Sequence, residues 1–544
     1  MGTYLNPGSD RFQQTVNSDI YVDKSEMITY LNSILNTEQR YVSVSRPRRF
    51  GKSIAANMLC AYYGKGDSRE LFASSKLAEC EGWDRYLNQF DVIKIVMTDF
   101  IKEKIDVEKS LEKMTKRILV DLSEAYPDVK YDEDDLVYSM DRFYRESGVP
   151  FVIIIDEWDA VFRERKNDKE GQTLYLDFLR DWLKDKSYVA LAYMTGILPI
   201  KKYGKHSALN MFDEYSIISP RQLAPYTGFT EEEVKDLCVE YNMQYEDISD
   251  WYDGYEVDTS IPIEMREKYR MGEYDEKTIS IYSPLSVVSA MSTGVIQNYW
   301  NKTESYEALA EYIRMNYDGL KDAVVLMMDG GSVKVNLGTY QNDMTTFNGR
   351  DDVLALLIHL GYLKYNSDTK EVSIPNKEIL DEFKSSTKSE EWIGTFTSFK
   401  KSQELLNATW NCNEEKVAEL LEWFHDTAEN KTYNSEAALS YAVQMAYYAG
   451  QKYYTTIQEL DSGKGYCDLV YLPAPKHPDK PALLIELKYD KSLETAADQI
   501  RDKNYPQKLE HYKDNILLVS INYDKDVSSK DMFYKHHSCS IEKV

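Results

Sequence analysis

The sequence predicts an α/β protein in three parts: a parallel sheet over residues 1–225, a mainly helical middle over 226–400, and a second, smaller α/β domain over 401–544. Three observations carry this. Short β-branched runs alternate with amphipathic stretches up to about residue 225, which is the pattern of a parallel sheet with crossover helices. Helical and turn-rich segments then replace that alternation. From about residue 466, apolar strands separated by turns return.

In the first part, YVSVS (41–45), DVIKIVMTDF (91–100), FVIII (151–155) and YVALAYMTG (188–196) read as buried strands, with an amphipathic helix over 103–125. In the middle part, FTEEEVKDLCVEY opens with a capping box in which Thr230 caps and Glu233 reaches back. WYDGYEVDTSIP reads as a turn-rich insert. Residues 351–380 read as a helix followed by the hairpin GYLKYNSDTKEVSIP, a winged-helix-like element. The last part begins helical (403–449) and ends in strands at 466–472, 482–488 and 515–521.

The 544 residues hold 65 Lys+Arg against 91 Asp+Glu, a formal net charge of −26. That excludes a whole-chain basic surface and a polybasic membrane-surface protein. The excess is uneven: 31 basic against 36 acidic residues over 1–220, 17 against 32 over 221–400, and 17 against 23 over 401–544. The acidic middle therefore suits a protein partner better than a phosphate backbone. Aromatic residues at 13% exclude disorder. Six scattered cysteines with no CxxC pair give no zinc framework and suit a reducing, cytoplasmic compartment. The run MGTYLNPGSD has no basic or apolar stretch, so no signal peptide is expected, and no apolar run approaches a membrane span. The histidines show no HExxH spacing, so no catalytic zinc is expected.

Two constellations carry chemistry. Gly51-Lys52-Ser53 sits between the first strand and an apolar helix. Helix N-terminal N–H groups cradle a polyphosphate, a lysine neutralises its β/γ oxygens, and a hydroxyl joins the Mg²⁺ shell. The standard spacing asks for a glycine at position 46, where this chain has Arg46. The run Ile153–Ile155 ends in Asp156 and Glu157: an acid to hold Mg²⁺ and one to polarise water, or else a core strand running into a helix cap. Paired with the upstream Lys52 and Ser53, the first reading predicts ATP bound with Mg²⁺ on a P-loop NTPase sheet. A further strand ends at Thr195, placed either to meet the γ-phosphate or simply to turn the chain.

Near the C-terminus, Asp468 opens a strand, and LLIELK carries Glu486 and Lys488 two residues apart on one face. Two carboxylates suit a hard divalent cation, and the lysine can orient water or stabilise developing charge. The competing reading is an exposed hairpin with an ordinary Glu–Lys pair. Glu436 opens a helix before these strands, as a metal ligand or as an acid favouring the helix dipole.

RPRRFGKS, YVDKS (21–25) and IIIDEWD (153–159) resemble the AAA-ATPase-like proteins of bacteria, which join a P-loop domain to a nuclease-like domain of the PD-(D/E)XK type. PYTGFTEEEV, WYDGY, YSPLSV, YWNKT, HLGYLKY and SIPNKEI extend the resemblance along the chain. It implies a C-terminal α/β restriction-endonuclease-like domain. Arg46 then matches the family's loop, and Arg48 and Arg49 match its loop arginines. Lys52, Ser53, Asp156 and Glu157 match the nucleotide site, with Thr195 at the sensor position; Arg221 is an arginine-finger candidate by position only. Asp468, Glu486 and Lys488 match the nuclease signature, with Glu436 as a further metal ligand and Gln499 and Tyr505 as accessory groups. The implied function is an ATPase coupled to Mg²⁺-dependent cleavage of DNA or RNA. The alternative is a nucleotide-gated switch whose nuclease-like domain only binds a partner or nucleic acid. The oligomeric state stays open.

Overall fold

The computed structural model describes residues 2–102, 105–200, 209–259, 278–300, 306–315, 317–342, 344–427, 436–461, 466–489, 512, 515–524 and 535–543. Within these, the side chains of 258, 306–308, 436–437, 458–461 and 466–467 stay outside the description. The chain divides into two compact units: residues 1–312 with 334–385, and residues 313–333 with 386–544.

The first unit is built on five strands: β1 (Tyr41–Ser45), β2 (Asp91–Val96), β3 (Phe151–Asp156), β4 (Val189–Gly196) and β5 (Asp213–Tyr215). Their order is β2-β3-β4-β1-β5, and every pairing is parallel. All five residues of β1, all six of β3 and all eight of β4 are buried, as expected of strands covered on both faces. Helix α1 (Lys52–Tyr63) packs Ala56, Leu59 and Tyr63 into the core formed with Val42, Val44 and Ile154. The expected helix over 103–125 is Val107–Ala125, capped by the Asp106 carboxylate on the Glu108 N–H. Because β3, β4 and β1 are parallel neighbours, their C-terminal ends lie together at one end of the sheet.

The rest of this unit is mainly helical. Thr230 and Glu233 form the expected capping box, and Lys24 of the YVDKS run donates to Glu233 Oε1 (2.7 Å) and the Pro225 carbonyl (2.6 Å). The helix Arg350–Leu360 leads into the antiparallel pair Lys364–Asn366 and Glu371–Ser373, the expected helix and hairpin. The insert read as turn-rich contains a strand, Tyr255–Asp258, paired with Thr278–Tyr282.

The second unit holds a five-stranded mixed sheet: β6 (Tyr454–Asp461), β7 (Tyr466–Pro473), β8 (Ala482–Tyr489), β9 (Ile516–Tyr523) and β10 (His537–Lys543), in that order. The β8–β9 pairing is parallel and the other three are antiparallel. Helices α2 (Glu414–Thr427) and α3 (Glu436–Ala446) cover one face, where Leu439 and Val443 pack with Leu483, Ile485 and Leu487. Among the described residues no helix is long and apolar enough to cross a membrane.

Two buried features of the first unit generate tests. Glu378, in SIPNKEI, accepts from the Tyr299 and Trp300 N–H groups of YWNKT (2.8 and 3.0 Å) and from Ser286 (2.8 Å). Burial, which outweighs these three donors, pushes its carboxyl from 4.5 up to about 7. Below pH 4.5 both folded and unfolded chains hold that proton. Between pH 4.5 and about 7 the unfolded chain releases it first, so Glu378's contribution to stability falls as pH rises. Wild type relative to Glu378→Gln should therefore lose on the order of 3 kcal/mol across that window, read as the difference between their unfolding free energies. Gly196, the last residue of β4, lies against the buried Trp158; a Cβ there would sit 2.7 Å from the indole Cδ1. Gly196→Ala should cost about 1–3 kcal/mol in thermal or urea unfolding, whereas an unchanged midpoint would contradict this packing.

Candidate nucleotide and metal sites

In the first unit the loop 46–51 runs from β1 to α1. Gly51 (φ 82°) and Arg49 (φ 67°) take the left-handed conformation. Glycine freedom is thus needed at 51 and not at 46. Arg46 is 2% exposed, and its guanidinium donates to the Ser45 (2.9 Å) and Tyr215 (2.7 Å) carbonyls. Burial lowers its pKa to about 9. The Lys52 ammonium lies back over the loop, donating to the carbonyls of Arg46 (2.9 Å) and Pro47 (2.7 Å). Burial brings its pKa down to about 8, with Asp159 and Asp156 pulling the other way.

The middle region holds this loop from the other side. Gly228 N–H donates to the Phe50 carbonyl (3.1 Å), and the Phe50 ring meets Tyr255 edge-on at 5.4 Å. Tyr255 donates in turn to the Gly361 carbonyl (2.6 Å). Gly361 (φ 89°) approaches Pro47 so closely that a Cβ there would meet the ring at 2.8 Å. The TGF, DGY and HLGY runs are therefore the walls around the loop.

Asp156 ends β3 and is 3% exposed; it accepts from the Thr195 hydroxyl at the end of β4 and from the Glu157 N–H (3.1 Å). Glu157 sits at φ 53°, a costly conformation for a residue with a side chain, and its carboxylate pairs with Arg163 Nη2 at 3.0 Å. Gly51, Lys52, Ser53, Arg48, Arg49 and Glu157 line one cavity of about 770 Å³, within the range of small-molecule sites. Its apolar end is formed by Ile20, Tyr21, Val22, Tyr226, Phe229 and Val288. Asp156 and Thr195 form a hydrogen-bonded pair and are not among its lining residues. Arg221 is not among the lining residues; it lies 3.7 Å from Asp213 and over the Tyr215 ring.

Two further residues complete this site. Asp159, fully buried, accepts from the N–H groups of Ile197 and Leu198 (both 2.9 Å), fixing the turn after β4. Arg163 lines the cavity and reaches both Glu157 and Asp159. The spacing of Asp159 and Arg163, one helical turn apart, is the only sequence signal that links them.

In the second unit, β7 and β8 pair as Leu469↔Ile485 and Val470↔Leu484. Continuing that register by one residue sets Asp468 across from Glu486, and the Asp468 carboxylate accepts from the Leu487 N–H at 2.7 Å. Glu486 and Lys488 are 1% and 5% exposed, and Lys488 Nζ donates to Glu486 Oε1 at 3.0 Å. The exposed-hairpin reading of this pair is thereby overturned. Ser520 and Asn522, both buried, lie in register with Glu486 and Lys488 on β9. They were legible only as an alternation of polar residues within ILLVSINY. Asp468 on β7 and Glu486 on β8 offer oxygen donors beside the Lys488 ammonium, a donor set that suits a hard divalent cation. The side chain of Glu436, which opens α3, and all of Gln499 and Tyr505 lie outside the described residues.

Comparison with known proteins agrees with this division. Residues 8–205 match the family model described as "Predicted AAA-ATPase" (AAA-ATPase_like), and residues 439–531 match the "PD-(D/E)XK nuclease superfamily" model. No curated protein matches the chain. Among solved structures, Cdc6p from Pyrobaculum aerophilum is similar at 10% identity, over 67% of this chain and 92% of that one, with a TM-score of 0.24. The Aeropyrum pernix ORC2 protein (ADPNP–ADP complexes) is similar at 13% identity, over 68% and 96%, with a TM-score of 0.29. The Aeropyrum pernix ORC1 protein in complex with DNA is similar at 10% identity, over 72% and 99%, with a TM-score of 0.24. Scores this low carry no argument about function. The two family matches do: the chain joins an AAA-ATPase-like domain to a domain of the PD-(D/E)XK nuclease superfamily.

Proposed function

We propose that the chain is an ATPase whose nucleotide state governs a Mg²⁺-dependent nuclease acting on DNA or RNA. The observation that carries the nuclease half is the buried Glu486–Lys488 pair with Asp468 set across from it. An ion pair taken out of water is costly to bury, so its presence inside the domain points to a role beyond packing. Asp468 and Glu486 would hold the divalent ion, which when bound supplies charge stabilisation at the scissile phosphate. Lys488 Nζ, fixed by Glu486, would orient the attacking water or steady the charge that develops on the phosphate oxygens. Glu436, Gln499 and Tyr505 are kept as further candidates at this site.

In the first unit Lys52 would exchange the carbonyls of Arg46 and Pro47 for the β/γ oxygens of ATP. Ser53 Oγ and Asp156 would hold Mg²⁺, Thr195 would position Asp156, and Glu157 would polarise the attacking water. Arg48 and Arg49, on the cavity wall, would face the phosphates, while the apolar end would take the base. The division at residues 225 and 400, a cytoplasmic location and a protein partner for the acidic middle belong to this proposal.

The test pairs nucleotide binding with cleavage of plasmid and single-stranded substrates in Mg²⁺, with and without ATP. Lys52→Ala should weaken ATP binding at least about 100-fold, and Glu157→Gln should bind ATP yet lose hydrolysis. Glu486→Gln should abolish cleavage while leaving ATP binding intact. ATP binding with no cleavage in any nucleotide state would instead favour the nucleotide-gated switch.

A further inference from the structure

Besides Asp468, Glu486 and Lys488, the second unit gathers a different set of side chains. Glu422 and His425 lie one turn apart on α2, and His536 and His537 stand at the start of β10, 114 residues from Glu422 in the case of His536. His536 Nδ1 lies 2.9 Å from Glu422 Oε1, and His537 Nδ1 lies 2.8 Å from Glu422 Oε2. The backbone N–H groups of both histidines donate to Glu422 Oε2, at 2.9 and 3.1 Å. The two imidazoles thus already serve both carboxylate oxygens. His425 is a third ring, brought to 3.8 Å from Oε1 and set edge-on to His536 and His537 at 5.1 and 5.4 Å. One ligand atom each from Glu422, His425 and His536 lie within 4.8 Å of one another. The Tyr523 ring stacks on His536 at 5.2 Å, closing the side of the cluster. His425 and His537 are 2% and 3% exposed, so the group sits inside the domain.

We propose that Glu422, His425 and His536 form a binding site for a divalent transition-metal ion, zinc by donor chemistry, which fastens α2 to the C-terminal strand β10. The two separations from Glu422 Oε1 fit. Ligand atoms about 2.0–2.2 Å from zinc stand about 3.3–3.5 Å apart in a tetrahedron. The observed 2.9 and 3.8 Å bracket that spacing. Two imidazoles and a carboxylate suit zinc, whereas Mg²⁺ and Ca²⁺ take oxygen. His537 holds the second carboxylate oxygen and is a positioning residue for Glu422. Water would fill the fourth position. This ion is distinct from the one at Asp468 and Glu486, which offer only oxygen.

The test uses the full chain, stripped with a chelator and titrated with Zn²⁺ against a chromophoric competitor. One tight Zn²⁺ per chain is expected, weakened at least about 100-fold in His425→Gln and in His536→Gln, and about 10–100-fold in His537→Gln. Glu486→Gln should leave this affinity unchanged, and Zn²⁺ should raise the wild-type melting temperature. Co²⁺ bound to the wild type should give the visible bands of a tetrahedral centre, a readout independent of any variant's folding. Wild type binding Zn²⁺ no more tightly than His425→Gln would overturn the proposal. So would a tight site that is lost on Glu486→Gln instead.

Discussion

A carboxylate carried into an apolar core must be met there by donors or a cation, because the interior cannot replace the water it gave up. Both halves of this chain are organised around meeting that requirement. Asp156 ends a fully buried strand and is answered by Thr195 from the neighbouring strand. Asp159 is answered by two backbone N–H groups and by Arg163. Glu486 is answered by Lys488, and Glu378 by two backbone N–H groups and a serine. Asp156 closes β3 and Asp159 holds the turn after β4, so the nucleotide-site geometry rests on the same interactions that hold the fold.

The loop from β1 to α1 illustrates how far such constraints reach. Its conformation is set on one side by Arg46, which donates to the Tyr215 carbonyl, and on the other by Gly228, Tyr255 and Gly361. Motifs far apart in the chain therefore belong to one wall. Lys24 and Glu233 are joined in the same way, as are Trp300 and Glu378. An arginine in place of the first glycine is tolerated because the left-handed turn falls at Arg49 and Gly51.

Four strands of the first sheet were legible because continuous β-branched runs such as FVIII suit strands buried on both faces, whereas the three-residue β5, DEY, has no such run and was missed. The Asp468, Glu486 and Lys488 set was legible because a strand's two-residue period puts Glu486 and Lys488 on one face. Strands β6 and β10 were missed. They are the edges of the second sheet, and HSCSIEK has no apolar run to betray it. The Glu422–histidine cluster was equally hidden: no local spacing links α2 to β10, and only the fold brings them together. Asp159 and Arg163 were in plain view, but an acid and a base one turn apart look like any solvated helix pair until burial is known.

In the proposed nuclease site Asp468 and Glu486 share one divalent ion beside Lys488. Crystals of the full chain grown with Mn²⁺ and a non-hydrolysable ATP analogue would test it by anomalous scattering. One Mn²⁺ peak is expected within coordination distance of both carboxylates and a second beside Ser53 and Asp156. Absence of a peak at Asp468 and Glu486, with the peak at Ser53 present, would contradict it.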